Sequence, residues 1–105
     1  MESANIVLRW DRFARDTIGK QIVRSSDSIG ANIAEGTGRH DYQDNRRFVK
    51  IARGSLNETQ HFLRRAIKRK LLTPADVKKI KPLVDNLAPQ LNSYWKSIGR
   101  DRKDE

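Results

Sequence analysis

Cysteine is absent from the sequence, which removes disulfides, thiolate metal ligands and a cysteine nucleophile together. Proline occurs three times, at Pro74, Pro82 and Pro89, and no stretch has the composition of a linker, a repeat or a low-complexity tract. No apolar run approaches the ~18 residues that would cross a membrane. The opening Met1–Trp10 segment has neither a basic start nor a long apolar stretch, so nothing there directs export and a cytoplasmic location is expected. Strand signals are nearly absent. Glycine is scarce too, six in all, but Gly30, Gly36 and Gly38 fall within Ser26–Asp44. A phosphate-cradling loop follows a strand and carries Gly-Lys-Ser/Thr. These glycines follow a helical pattern, and that tripeptide occurs nowhere. The stretch reads as a joint between helices.

What the chain does have is positive charge. Lys and Arg number 22 against 13 Asp and Glu, a formal net charge of +9, which favours a polyanionic partner: RNA, DNA or an acidic protein face. A length of 105 residues predicts one domain with one small core, covering 1–105, with 99–105 a frayed charged tail.

Helical spacing dominates. Between Thr17 and Glu35, Ile18, Ile22, Ile29 and Ile33 recur at multiples of three and four, with Ser25 and Ser26 in the gap: a helix with a narrow apolar seam. Gly36 stands where a left-handed residue ends a helix. Asp41 is then expected to cap the next helix, with Asp44 completing a variant capping box. From there to about Lys70, Phe48, Ala52, Ser55, Thr59, Phe62 and Ala66 step by 4, 3, 4, 3 and 4. Thr73-Pro74-Ala75-Asp76 opens a third helix, along which Val77, Ile80, Val84, Leu87, Leu91, Tyr94 and Ile98 keep heptad spacing. Pro82 and Pro89 interrupt it, predicting a kinked helix or two short ones end to end. In residues 1–16, Ile6, Leu8, Trp10 and Phe13 are expected to cover the bundle as a short helix or an irregular arm.

Arg46, Lys50, Arg53, Arg64 and Lys68 share one side of the second long helix, with Arg47, Arg65 and Arg69 beside them and Arg39 in the preceding turn. Such a stripe can track a phosphate backbone, or be a solvated face with some arginines paired to acids. If the first two long helices fold back near residue 40, Asp27 comes near Arg53 and Arg24 near Glu58. These would be ion pairs that fix register. Glu58 and His61 match the Glu-x-x-His pattern of carboxylate-bridged metal bundles, but such sites need a second copy, and His40, the only other histidine, lies in the turn. No metal site or cofactor is expected. No serine stands in a nucleophile arrangement. Ser25, Ser26, Ser28 and Ser55 lie at or beside the seam, where small residues let backbones approach. Trp10, Tyr42 and Trp95 read as core edges rather than base-stacking platforms. A non-enzymatic protein without a small-molecule substrate is expected.

The segment from Gln21 to Arg39, followed by Arg46 to Ala66, closely resembles the four-helix-bundle proteins encoded in intervening sequences of bacterial 23S ribosomal RNA genes. The matching blocks are Ala31-Asn32-Ile33-Ala34-Glu35-Gly36 with Gly38-Arg39, and Phe48 with Ile51-Ala52-Arg53-Gly54-Ser55-Leu56 and Glu58. The resemblance runs from roughly Ile18 to Leu72; beyond that the chain is similar only as a generic amphipathic helix. It implies an up-and-down bundle that assembles as a homo-oligomeric ring, usually a pentamer, with no catalytic residues. A related branch comprises the accessory proteins of diversity-generating retroelements, basic pentamers that bind nucleic acid and a reverse transcriptase. In this family the Arg53-Gly54-Ser55 step looks like a close-packing and ion-pairing device. Members carry a full first helix before the equivalent of Thr17, where this sequence has sixteen residues.

The expected fold is therefore all-α: an up-and-down antiparallel bundle of three long helices plus a short N-terminal one. The expected function is nucleic-acid binding, RNA rather than DNA, with Arg39, Arg46, Lys50, Arg64, Lys68 and Arg69 at phosphates. Arg24, Asp27, Arg53 and Glu58 are assigned to structural ion pairs. The alternative is a scaffold whose basic face meets an acidic protein and never touches nucleic acid.

Overall fold

A computed structural model of the chain describes residues 2–99. Among these every regular element is helical. The first, α1, is Glu2–Val7. After a bend, Arg12–Ala14, a π-helical turn Arg15–Gly19 and Lys20–Thr37 run on without a break, and together form α2. The remaining two are α3, Tyr42–Lys68, and α4, Pro74–Ser97. The molecule is a rod of 55 × 23 × 17 Å.

The second element is longer than the apolar pattern predicts, because Asp11 caps it: its carboxylate accepts from the Ala14 amide at 2.9 Å. The π turn lies where α1 crosses. A Cβ on Gly19 would stand 2.5 Å from Val7 Cγ1, so a bare glycine lets α1 seat against α2. Ile6 is buried and Trp10 packs on the core, whereas Leu8 and Phe13 are exposed. Those two therefore do not cover the bundle as expected: α1 ends at Val7, and Phe13 lies beside, not on, the inward position held by Ala14.

Helices α2 and α3 are antiparallel along their full overlap. Between two apolar clusters lies a layer of hydroxyls. Thr59 Oγ1 is 2.8 Å from both Ser25 Oγ and the Ser55 carbonyl. Ser28 Oγ is 2.9 Å from Ser55 Oγ, and the Asn32 amide donates to Ser28 Oγ at 2.9 Å. On one side Ile6, Ile18, Ile22, Leu63, Ala66 and Ile80 form a core; on the other, Ile29, Val49, Ala52, Leu56, Leu91 and Ile98 form a second. Val84 borders both. The serines expected at the seam are there because only small side chains fit between the backbones, and burying their hydroxyls requires the partners they find.

Gly36 does not end the helix. It lies within α2, which runs to Thr37 and stops at Gly38 with an ordinary negative φ of −79°. Its role is clearance: a Cβ at Gly36 would stand 2.6 Å from Asn45 Oδ1 and 3.0 Å from Phe48 Cβ. Gly54, by contrast, has open space where a Cβ would go, so the expected close-packing role falls to Ser55. Asp41 caps α3 through the Gln43 amide at 2.8 Å, while Asp44 pairs with Arg47 at 3.5 Å instead of completing a capping box.

At its far end α3 closes in a paired-bond motif. Leu71 N–H donates to Ala66 O at 2.9 Å and Lys70 N–H to Ile67 O at 3.0 Å, with Lys70 left-handed at φ 60°. Thr73 then caps α4 in a full capping box with Asp76. This helix passes through Pro82 and Pro89 as one element rather than two. The carbonyls that lose their partners belong to Lys78 and Asp85, both exposed, so solvent can satisfy them.

Candidate nucleic-acid interface

The basic face of α3 divides into two groups. Near the start of the helix the cations are engaged within the molecule. Arg46 Nη2 donates to the Ile98 carbonyl at 2.5 Å, and its guanidinium lies 5.3 Å from the Trp95 ring centre. The Lys50 ammonium stands 5.8 Å from the same ring. Because Ile98 caps α4, Arg46 places positive charge at the negative end of that helix's dipole. Arg39 pairs with Glu35 at 2.6 Å and, with Arg47, lies against the Phe48 ring. Trp95 is thus occupied by cations and core. Tyr42 packs on Gly99, and Trp10 on the core beside α1, so all three aromatics act as packing edges.

Near the end of α3 the cations are open. Arg64, Lys68 and Arg69 are exposed, with no ion pair among the described residues, and Arg65 and Lys70 lie beside them in the same condition. The return of the chain into α4 adds Lys78 and Lys81, which reading the stripe along one helix misses. The signal was available in Leu71-Leu72-Thr73-Pro74: a short reversal there brings residues near 80 beside those near 64. Lys81 and Arg64 line one groove, with Asp85 3.9 Å from the Lys81 ammonium.

Of the expected ion pairs, Arg24 bonds to Glu58. Asp27 and Arg53 do not meet; both are exposed, and neither has an ion pair among the described residues. At about 100° per residue Asp27 points opposite to buried Ser25 and Ile29, so no partner on α3 can reach it. With Glu58 taken by Arg24, His61 sits exposed against the edge of Phe62.

One carboxylate is clearly perturbed. Asp76 is held below its ordinary value by the Thr73 backbone N–H at 3.0 Å, against the opposing effect of burial, with further help from Arg9 at 2.9 Å and the Thr73 hydroxyl. This latch fastens the segment after α1 to the start of α4.

These features define a small basic helical bundle with an open cationic end and no helix among the described residues long and apolar enough to cross a membrane. The profile of the 23S rRNA-intervening sequence protein family matches residues 1–93, and the chain belongs to that family. No individual curated protein matches it.

Proposed function

We propose that the chain is a non-enzymatic cytoplasmic scaffold that binds nucleic acid, RNA in preference to DNA, through the open end of its basic face. Arg64, Lys68 and Arg69 make the phosphate contacts, joined by Lys70 and Lys78. Arg46 serves mainly to hold α3 and α4 together, and Arg39 and Lys50 contribute field rather than contacts. The observation that carries this reading is the group Arg64, Arg65, Lys68, Arg69, Lys70 and Lys78 around the turn between α3 and α4, exposed and with no ion pair among the described residues. The family's link to ribosomal RNA genes supports RNA as the class of partner.

The chain also self-associates in this reading, with α1 in the place of the family's first helix and copies arranged as a ring, a pentamer by analogy. Apolar side chains left in solvent support it: Leu8 is 66% exposed, Phe13 72% and Leu83 57%. A role beside a reverse transcriptase belongs to the same analogy.

Fluorescence anisotropy with a labelled RNA hairpin and a matched DNA duplex, from about 50 to 300 mM salt, tests the reading. Tighter binding of the hairpin that survives near physiological salt supports it. Binding only of an acidic protein, and of neither nucleic acid, would replace it with the scaffold whose basic face meets protein.

A further inference from the structure

Between α3 and α4, beside the open cations, lies a groove of about 210 Å³. Its floor is aliphatic, with Leu63, Ile67, Ile80 and Val84, and its rim carries Gln60, Arg64, Lys81 and Asp85. Ile67, 47% exposed, is one of the largest apolar side chains α3 offers to solvent. Leu63 and Ile80 in this floor belong to the first core, and Val84 borders both. We propose that the groove takes one unpaired nucleobase, so that the protein prefers single-stranded or looped RNA to a closed duplex. This inference rests on the phosphate-binding reading above.

Size, chemistry and charge favour that occupant. The volume lies below the ~300–1,000 Å³ of pockets that enclose drug-sized ligands, and suits a single heterocycle. Aliphatic side chains take the face of a base, while Arg64 offers a guanidinium plane for stacking. Gln60 both donates and accepts, and Asp85 accepts from an exocyclic amine. An isolated base would gain little here. A base carried by a strand would arrive with phosphates, and cations for those phosphates are at hand: Arg64 and Lys81 at the rim, and exposed Lys68 four residues along α3 from Arg64. Lys70 adds a second sign of function. A left-handed helix stop favours glycine, yet a lysine holds the position and presents a cation at this end.

Base entry needs an unpaired nucleotide, because in an A-form duplex the base faces are stacked and the edges lie in the grooves. The test compares a single-stranded RNA with a blunt RNA duplex of equal phosphate number, by anisotropy at ~150 mM salt. Two variants fill the groove from opposite walls, Ile67→Trp and Val77→Trp, each checked for folding by thermal melting and for mass by size exclusion. The native protein is expected to favour the single strand by about tenfold. Either folded filled variant should lose that preference while binding the duplex as the native protein does.

Preference retained in either folded filled variant overturns the groove but leaves phosphate binding intact, as does a native protein that binds both RNAs equally. A native protein that binds neither RNA overturns both readings. A filled variant that changes oligomer mass and leaves the RNA preference untouched makes the groove a seam between copies, and the inference fails.

Discussion

The guanidinium of Arg46 lies 5.3 Å from the ring of Trp95 while its Nη2 bonds to the carbonyl of Ile98, so one side chain ties the start of α3 to the end of α4. A cation used this way is costly to remove and poorly placed to meet a phosphate. Replacing Arg46 with Gln is expected to lower stability by about 1–2 kcal/mol, whereas Arg64→Gln changes it by less than ~0.5 kcal/mol. Urea unfolding of the two variants measures the contrast. Equal effects would mean that the stripe is one face after all.

Two helical glycines should respond oppositely to alanine. At Gly36 the new Cβ would stand 2.6 Å from Asn45 Oδ1 and 3.2 Å from the Asn45 carbonyl, and overpacking of this kind costs about 1–3 kcal/mol. Gly54 meets nothing, so alanine there should stabilise by ~0.5–1 kcal/mol through helix propensity. Thermal melts of the two variants should move in opposite directions.

Lys70 predicts a stabilising change at the other end of α3. Glycine relieves the left-handed strain but frees the unfolded chain, leaving a net gain of about 0.5–1 kcal/mol. On the functional reading the same variant binds RNA less tightly. A stabilised Lys70→Gly protein with undiminished binding would show that the lysine is incidental to the interface.

The hydroxyl layer should behave as a unit. Thr59→Val leaves Ser25 with only its 3.3 Å bond to the Ile22 carbonyl, and Ser25→Ala leaves Thr59 with only its 2.8 Å bond to the Ser55 carbonyl, each a cost of ~0.5–1.5 kcal/mol for the lost bond. The double variant should cost less than the sum of the singles, because the bond the two hydroxyls share is lost only once. Strict additivity in a double-mutant cycle would argue against coupling.

Asp76 sets a pH dependence. Its carboxylate is favoured in the folded state, so its contribution is complete above the ordinary value of 3.8 and is lost as pH falls through the lowered folded value. The stability difference between the native protein and Asp76→Asn should stay constant from neutral pH down to about pH 5 and shrink below 3.8. A gap that persists into strong acid would assign the stabilisation to something other than charge.

Much of this was legible in the sequence. The 3–4 spacing located α3 and α4, and the step from Thr73 to Asp76 gave the start of α4 through an unambiguous cap. Arg24 and Glu58 were legible because both lie near the contact line. Asp27 and Arg53 failed because a sum rule for antiparallel positions ignores which way a side chain points around each helix. Gly36 misled for a related reason: glycine reads as a stop, while clearance for a neighbouring helix leaves no local signature. The division of the cations was not legible, since it depends on Trp95 and Ile98 returning to the start of α3 from about fifty residues away.

The most direct measurement is the salt dependence of RNA-hairpin affinity for the native protein, for Arg64→Gln/Lys68→Gln/Arg69→Gln, and for Arg46→Gln. If the open end carries the phosphate contacts, the log–log slope falls by about 2–3 in the triple variant and by less than ~1 in Arg46→Gln. A triple variant that keeps the native slope contradicts the account.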